Sequence, residues 1–170
     1  MKQIIQAVVE TLKDAVQNAT PWSPLSKIRS VYTGDPILIP ESNLPALVVV
    51  PLPLTSLKGG TNYDHIQTPF RVKYVQSIKD DIGSQTDDTI SPLAMNALEL
   101  YADYEASSKG WNPDCLMYVF RPFRKTVEYS GLQIGDWRGD FSINYEFTQI
   151  REFIAFEAYL DIIVKTTVYF

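Results

Sequence analysis

The sequence predicts an α+β fold: a mainly antiparallel β-sheet flanked by two amphipathic helices, with an extended arm and a long C-terminal strand. Apolar side chains recur at helical spacing in residues 2–18 and 91–106, the pattern of helices that bury one face. Residues 154–170 instead place apolar side chains at alternate positions, the period of a β-strand. Between them, residues 28–53 combine two short β-rich runs with a Pro-bracketed segment.

The first helix is predicted over residues 2–18 and stops at the Pro-containing run that follows it. A short strand is predicted over 28–33, and Gly34 begins a turn into an extended arm. We expect the arm to pack on a neighbouring subunit, because its Ile-Leu-Ile run would otherwise expose apolar surface. The residues assigned to this subunit interface are Asp35, Pro36, Ile37, Leu38, Ile39 and Pro40.

The central part of the chain predicts further strands. Residues 46–50 have no polar position, which is typical of a strand buried on both faces. Residues 54–62 contain Gly59-Gly60 and form a flexible loop or a hairpin tip. Residues 66–78 alternate in polarity, which predicts a long half-buried strand, and the acidic residues 79–88 form a loop.

The second helix begins at Ser91-Pro92, since Ser is a preferred N-cap and Pro suits the first helical position. It extends to about Ala106. Residues 115–120 and 126–129 are interpreted as short strands, and residues 131–139 as a loop.

The C-terminal strand is unusually long. At about 3.3 Å per residue, residues 154–170 would span about 50 Å, more than strands of small sheets usually do. Such a strand either bends at a bulge or extends past its own subunit to pair with a neighbour.

Composition limits the classes of function. A chain of 170 residues fits one domain. Its net charge of −5 argues against tight binding to a nucleic-acid backbone, although DNA can slide past an acidic surface. The lone Cys115 excludes an intrachain disulfide and a multi-cysteine metal site. Charges interrupt the N-terminal apolar run, which predicts neither a signal peptide nor a membrane span, so we expect assembly in the cytoplasm and no membrane partner.

Catalytic motifs are weak. His65 is the one histidine, and its neighbours do not complete a metal site, so it is interpreted as a loop residue. A Ser/His/Asp arrangement stays open, since such triads assemble from distant positions. We expect no catalytic residue, no metal and no cofactor, and we expect a protein that is not an enzyme.

One basic and aromatic patch stands out: Phe120, Arg121, Phe123 and Arg124. It could stack on a nucleic acid. A contact with a protein partner is favoured, because Arg and aromatic residues are enriched at protein interfaces.

The order of elements, together with VYTGDP and LPALVVVP in residues 28–53, resembles the tail terminator proteins of long-tailed bacteriophages, also called tail completion or tail-to-head joining proteins. The resemblance covers most of the chain by layout, and 1–170 is interpreted as one tail-terminator-like domain. Residues 107–137 depart from it as a longer, more aromatic stretch, interpreted as a peripheral insertion.

This resemblance implies a structural virion protein located in the tail or neck. Six copies would form a ring that caps the tail tube, stops its polymerisation and joins it to the neck or head connector protein. DNA would pass through the hole without specific binding. The acidic loop residues are one candidate for that lumen, although a simple solvated acidic loop is the favoured interpretation: Asp80, Asp81, Asp87 and Asp88.

Two alternatives stay open at this point. One is another phage ring protein, such as a neck, head-closure or adaptor component. The other is a small cytosolic enzyme or ligand-binding domain, for which a concave pocket with converging polar groups is the expected sign.

Overall fold

The computed structural model describes residues 2–53, 56–77, 92–107, 109–120, 127–129, 132–134, 143–150 and 153–169. Within these ranges the helices are α1 Lys2–Gln17, α2 Pro92–Ala102 and α3 Leu116–Val119. The strands are β1 Ser30–Thr33, β2 Ala46–Pro51, β3 Ser56–Gly59, β4 Tyr63–Ser77, β5 Tyr104–Glu105, β6 Gly110–Trp111, β7 Val127–Tyr129, β8 Leu132–Ile134, β9 Ile143–Ile150 and β10 Phe153–Tyr169. No helix in these ranges has the length and apolar character that crossing a bilayer requires.

Two long strands, β4 and β10, form the centre of the main sheet. They pair antiparallel in continuous register, from Tyr63 opposite Tyr169 to Ser77 opposite Ala155. The sheet of eight described strands has two halves that share only this pair. In the half that we call proximal the order is β1-β2-β4-β10-β9, and in the distal half it is β3-β4-β10-β8-β7.

The arm of residues 34–45 joins the one parallel pair among the described strands. β1 and β2 run in the same direction, with Ser30 opposite Ala46, and parallel neighbours require a crossover connection. Here the crossover contains a single 3₁₀ turn, Glu41–Asn43. Gly34 starts it in the left-handed region, at φ 87°, which glycine adopts at little cost. The predicted arm is therefore the crossover itself.

One face of the sheet is covered by the helices and forms the main core. Even-numbered residues of β4 and β10 point to it because strand side chains alternate between faces. Tyr74 packs edge-on against Phe156, and Phe70 against Phe120. The helices contribute buried side chains to the same cluster: Ile4, Ala7, Val8, Val9 and Leu12 from α1, Ala97, Leu100 and Tyr101 from α2, and Leu116 from α3.

Tyr101 connects α2 directly to the central strand pair. Its side chain is 0 % exposed. The hydroxyl donates to the carbonyl of Ala158 at 2.5 Å and accepts from the N–H of Tyr74 at 3.0 Å. Tyr74 and Ala158 are opposite each other in the register of β4 and β10, so the phenol links both strands to the helix.

The opposite face of the proximal half carries a second, smaller core. The arm covers it, and the buried side chains come from four segments: Ile39 and Leu44 of the arm, Ala46 and Val48 of β2, Val75 of β4 and Ala155 of β10. This accounts for the all-apolar sequence of β2, which was predicted to be buried on both faces.

The structure confirms the predicted α+β class, the mostly antiparallel sheet and the long C-terminal strand. β3 pairs with β4, so the described part of the predicted segment 54–62, residues 56–62, belongs to a hairpin, the second of the two predicted possibilities. The long strand β10 finds a partner of nearly its own length inside the chain, because β4 begins at Tyr63 rather than at residue 66.

Three predicted elements were wrong. Within residues 131–139, predicted as a loop, Leu132–Ile134 form the strand β8, which pairs with β10 and β7. Residues 115–120 contain the helix α3 instead of a strand, because Asn112 accepts the N–H of Asp114 and turns the chain at Asn112-Pro113. The second helix ends at Ala102 rather than near Ala106. There the chain enters the small β5–β6 hairpin, in which Tyr104 lies opposite Trp111.

Thr68 offers a test of the main core. Its side chain is 0 % exposed, and within the described residues its hydroxyl has no hydrogen-bond partner. A buried hydroxyl without a partner is destabilising, so Thr68→Val is expected to raise the free energy of unfolding by about 1 kcal/mol. Urea denaturation measures this, with the exposed Thr33→Val as the matched control. A less stable Thr68→Val variant would contradict the packing described.

Candidate interaction surfaces

The base of the arm is tied to its own sheet by polar contacts. The Gly34 N–H donates to the Val49 carbonyl at 2.9 Å, and the Ser30 hydroxyl donates to the Asn43 carbonyl at 2.7 Å. The Asn43 amide donates to the Tyr32 hydroxyl at 2.7 Å. These bonds hold both ends of the crossover on the sheet.

The middle of the arm exposes apolar side chains, which we call the arm apex. Ile37 is 95 % exposed and Leu38 is 56 % exposed, whereas Ile39 is buried in the second core. Of the predicted interface residues, Pro36 is half-buried and Pro40 is exposed beside the apex. The predicted interface run therefore has two parts: Ile39 packs into the chain's own core, and Ile37 and Leu38 present large apolar side chains to a partner.

Asp35 belongs to a charged cluster on the arm-covered face of β4 and β10. The Lys73 ammonium lies 2.9 Å from the Asp35 carboxylate and 3.4 Å from that of Glu157. The Glu157 carboxylate also accepts from the Tyr159 hydroxyl at 2.6 Å. The Lys73 and Glu157 side chains are only 13 % and 9 % exposed, so this pair is largely removed from water.

Arg71 extends the cluster along the strand. Its guanidinium forms two parallel bonds to the Asp161 carboxylate, at 2.6 and 2.8 Å, a geometry in which both groups are held rigidly. These bonds raise the pKa of Arg71 above its ordinary value, against the opposing effect of burial. The guanidinium carbon also lies 4.8 Å from the centre of the Tyr159 ring, a cation–π distance.

The far end of the two long strands carries exposed aromatic side chains, which we call the aromatic tip: Tyr63, His65 and Tyr169. The Tyr63 ring centre is 4.8 Å from that of His65 and 6.5 Å from that of Tyr169. Tyr63 is 39 % exposed and Tyr169 is 64 % exposed. Gly60 lies against the Tyr63 ring, where a Cβ would approach within 2.8 Å.

The described residues bring together few groups of catalytic type. None of them form a set of three or more His, Cys, Asp or Glu that could hold a metal ion. His65 lies in strand β4, so its assignment to a loop was wrong. Cys115 is fully buried, and burial raises the pKa of its thiol, which makes it a poor nucleophile.

The other predicted surfaces are only partly within the described residues. Phe120 is 2 % exposed and packs on Phe70 in the main core, so its ring is not part of an exposed patch. Arg121, Phe123 and Arg124 lie outside the described residues, as do Asp80, Asp81, Asp87 and Asp88. In the stretch 107–137, interpreted as peripheral, α3 contributes Leu116 to the main core.

Two features had been missed. The charged cluster joins residues far apart in sequence. The only sign of it in the sequence was the alternation of Arg71 and Lys73 on one face of β4. Trp22 is 93 % exposed and holds its backbone at φ 76°, which is unfavourable for a bulky side chain. The signal available for Trp22 was its place between Pro21 and Pro24.

Comparisons of the chain with protein-family models and with curated proteins found no match in either case. The class of the protein therefore rests on its own geometry. It is an α+β protein with a fixed arm, an exposed apolar apex and an exposed aromatic tip.

Proposed function

We propose that the chain is a structural virion protein of a long-tailed bacteriophage. Six copies form a ring on the head-proximal end of the tail tube, stop its polymerisation and join the tail to the neck or head connector protein. The layout of residues 28–53 and its resemblance to tail terminator proteins support this proposal. The function is assembly, without a catalytic role.

The arm is the observation that carries the proposal. Its base is fixed by hydrogen bonds, yet its apex exposes Ile37 almost completely. An exposed apolar segment on a fixed support is suited to binding another protein, since the segment loses little conformational entropy when it docks. A ring subunit needs two non-identical complementary surfaces, and the arm supplies one.

Edge strands supply further surface. Within the described residues β1, β3, β7 and β9 each pair on one side only. A free strand edge presents main-chain donors and acceptors that a neighbouring chain can pair with. β9 is the longest of these edges, Ile143–Ile150.

The proposal also fits the charge of the chain. A net charge of −5 repels phosphates, so DNA would pass through the ring without being held. Asp80, Asp81, Asp87 and Asp88 are the candidates for the lining of that lumen.

The mass of the protein in solution tests the proposal, measured by light scattering with and without isolated tail tubes. We expect six copies in solution, or monomers that become a ring when they meet a tube end. A ring that ignores tube ends would favour a head-closure or adaptor component. A monomer at every concentration, indifferent to tubes, would overturn the proposal and favour a small enzyme or ligand-binding domain.

Substitution of the arm apex separates assembly from folding. Deletion of residues 36–41 would also remove Ile39, which is buried in the second core. The variant Ile37→Ser/Leu38→Ser leaves that core intact and is expected to stay a folded monomer. Met95→Ser/Leu98→Ser is the matched control, because these α2 side chains are 41 % and 40 % exposed. Normal assembly of the apex variant would contradict a role for the arm.

A further inference from the structure

Within the described residues, β1 and β9 are the two outer strands of the proximal half of the sheet, and each pairs on one side only. We infer that β1 of one copy pairs with β9 of the next, so that neighbouring subunits of the ring share one continuous sheet. This inference rests on the proposed ring and names the contact that joins its subunits. The contact is head-to-tail and consists mainly of main-chain hydrogen bonds.

Strand direction makes these two edges complementary. From β2 through β4 and β10 to β9 the strands alternate in direction, whereas β1 runs parallel to β2. β1 and β9 therefore run in opposite directions. When two copies stand side by side in the same orientation, β1 of one copy lies antiparallel to β9 of the other, which is the more stable way for two strands to pair.

The crossover arm produces this match. Five strands that alternated throughout would end in two outer strands of the same direction, because their number is odd. The arm of residues 34–45 returns the chain to the level at which β1 began, since Ser30 lies opposite Ala46, and so β1 has the reverse of that direction. The distal half contains no such reversal. Its outer strands β3 and β7 run in the same direction and could meet only in parallel.

The two edges of the proximal half also lie at the same level. Counted across β2, β4 and β10, Ser30 is in one row with Glu146, and Thr33 is in one row with Ile143. Each residue of β1 thus has a counterpart in residues 143–146. Pairing the edges in these rows keeps the alternation of faces, so the helix-covered face stays on one side of the shared sheet, as a ring with an inner and an outer surface requires.

The side chains of β1 show that its outer edge is open to solvent. Val31 packs against the main core and Tyr32 against the second core, yet both are only half-buried. Their neighbours in β2, Leu47 and Val48, are 0 % and 1 % exposed. Each face of β1 is thus covered, and the remaining exposure is at the edge. A strand added there would cover these apolar side chains together with the main-chain groups.

A second copy of the chain is the occupant that satisfies both edges. An unrelated extended peptide on β9 would leave β1 open. A two-fold contact would join β9 to β9, or β1 to β1, and leave the other edge open. In a head-to-tail ring every β1 meets a β9, so no edge of the proximal half stays unpaired, and an unpaired edge is a liability for a soluble chain.

Amide hydrogen exchange of the wild-type chain tests the contact, because new main-chain hydrogen bonds slow the exchange of the amides that donate them. Mass spectrometry compares the assembled form with the dilute monomer, in peptides that contain residues 30–33 and 143–146. We expect exchange in these peptides to slow roughly tenfold on assembly, whereas the peptide of residues 56–59 in β3 should not change. Assembly without slower exchange at β1 and β9 would overturn the inference.

Cross-linking identifies which edges meet. Thr33→Cys, at an exposed position, and Ile143→Cys are prepared separately, mixed before assembly and treated with a short bismaleimide. We expect a cross-linked dimer in the mixture and little in either variant alone. The wild-type chain measures the background from Cys115, which is buried.

A second mixture controls for the register of the two strands. Gln149→Cys is mixed with Thr33→Cys, because residue 149 is six residues, about 20 Å, further along β9 than residue 143. This mixture should give little dimer. A dimer formed by Ile143→Cys alone would indicate a two-fold contact and overturn the inference.

Light scattering of the same samples separates this inference from the proposed ring. An oligomer with the cross-link between residues 33 and 143 supports both. An oligomer without that link, or with an equal link between residues 33 and 149, overturns the inference and leaves the ring standing. Samples that remain monomeric even with tube ends overturn both.

Discussion

Lys73→Met is expected to lower the free energy of unfolding by about 3 kcal/mol. The substitution keeps the apolar stem but removes the cation that lies 3.4 Å from Glu157. Since Glu157 is 7 % exposed, its carboxylate would lose its positive neighbour without gaining water. Breaking one side of a buried pair is costly for this reason, even where the intact pair adds little stability. Urea denaturation of the purified chain measures the change.

A double variant separates the pair from the packing. In Lys73→Met/Glu157→Gln the unpaired carboxylate charge of Glu157 is absent, so more than half of the lost free energy of unfolding should be recovered. The exposed Lys27→Met serves as the matched control and should change stability by less than about 0.5 kcal/mol. If the double variant were as unstable as the sum of the two single variants, the two side chains would not be coupled.

Tyr101→Phe is expected to lower the free energy of unfolding by about 2 kcal/mol. The ring would still fill its place in the main core, but the hydroxyl between Ala158 and Tyr74 would be missing. Tyr74 and Ala158 are both buried, so water does not replace a lost partner of their main-chain groups.

The control for this substitution is Tyr104→Phe. Tyr104 is 56 % exposed, so loss of its hydroxyl should change stability by less than about 0.5 kcal/mol. Thermal unfolding followed by far-UV circular dichroism compares the two variants. Equal effects at both positions would show that Tyr101 acts through packing alone.

The elements with strong periodicity could be predicted from the sequence. The stripe of α1 and the alternation of β10 are local patterns, and each fixes the face that must be buried. The start of β4 could not be predicted, because Tyr63, Asp64 and His65 lie at the partly exposed tip and show no apolar alternation. α3 is only four residues long, and a short apolar run fits a strand or a helix equally.

The candidate surfaces could be predicted only in part. The Pro-bracketed arm was visible in the sequence, but its three apolar residues were treated alike. Ile39 is buried because Val75 and Ala155 lie beneath it, and both are distant in sequence. The same holds for the charged cluster, whose members come from the arm, β4 and β10. Pairings between distant segments are set by the sheet register, which a single sequence does not reveal.

The continuous pairing of β4 with β10 fixes the distance between the two ends of these strands. It joins the arm-bearing end of the molecule to the aromatic end through fifteen residue pairs, so the number of pairs sets the distance between the two ends. Two residues added to each strand would lengthen the span by about 7 Å and leave every side chain on its original face. One residue added to each strand would instead move the side chains of the aromatic end to the opposite face of the sheet. In an assembly that uses both ends, the number of residue pairs would therefore set the spacing between neighbouring subunits, and hence the curvature of the assembly.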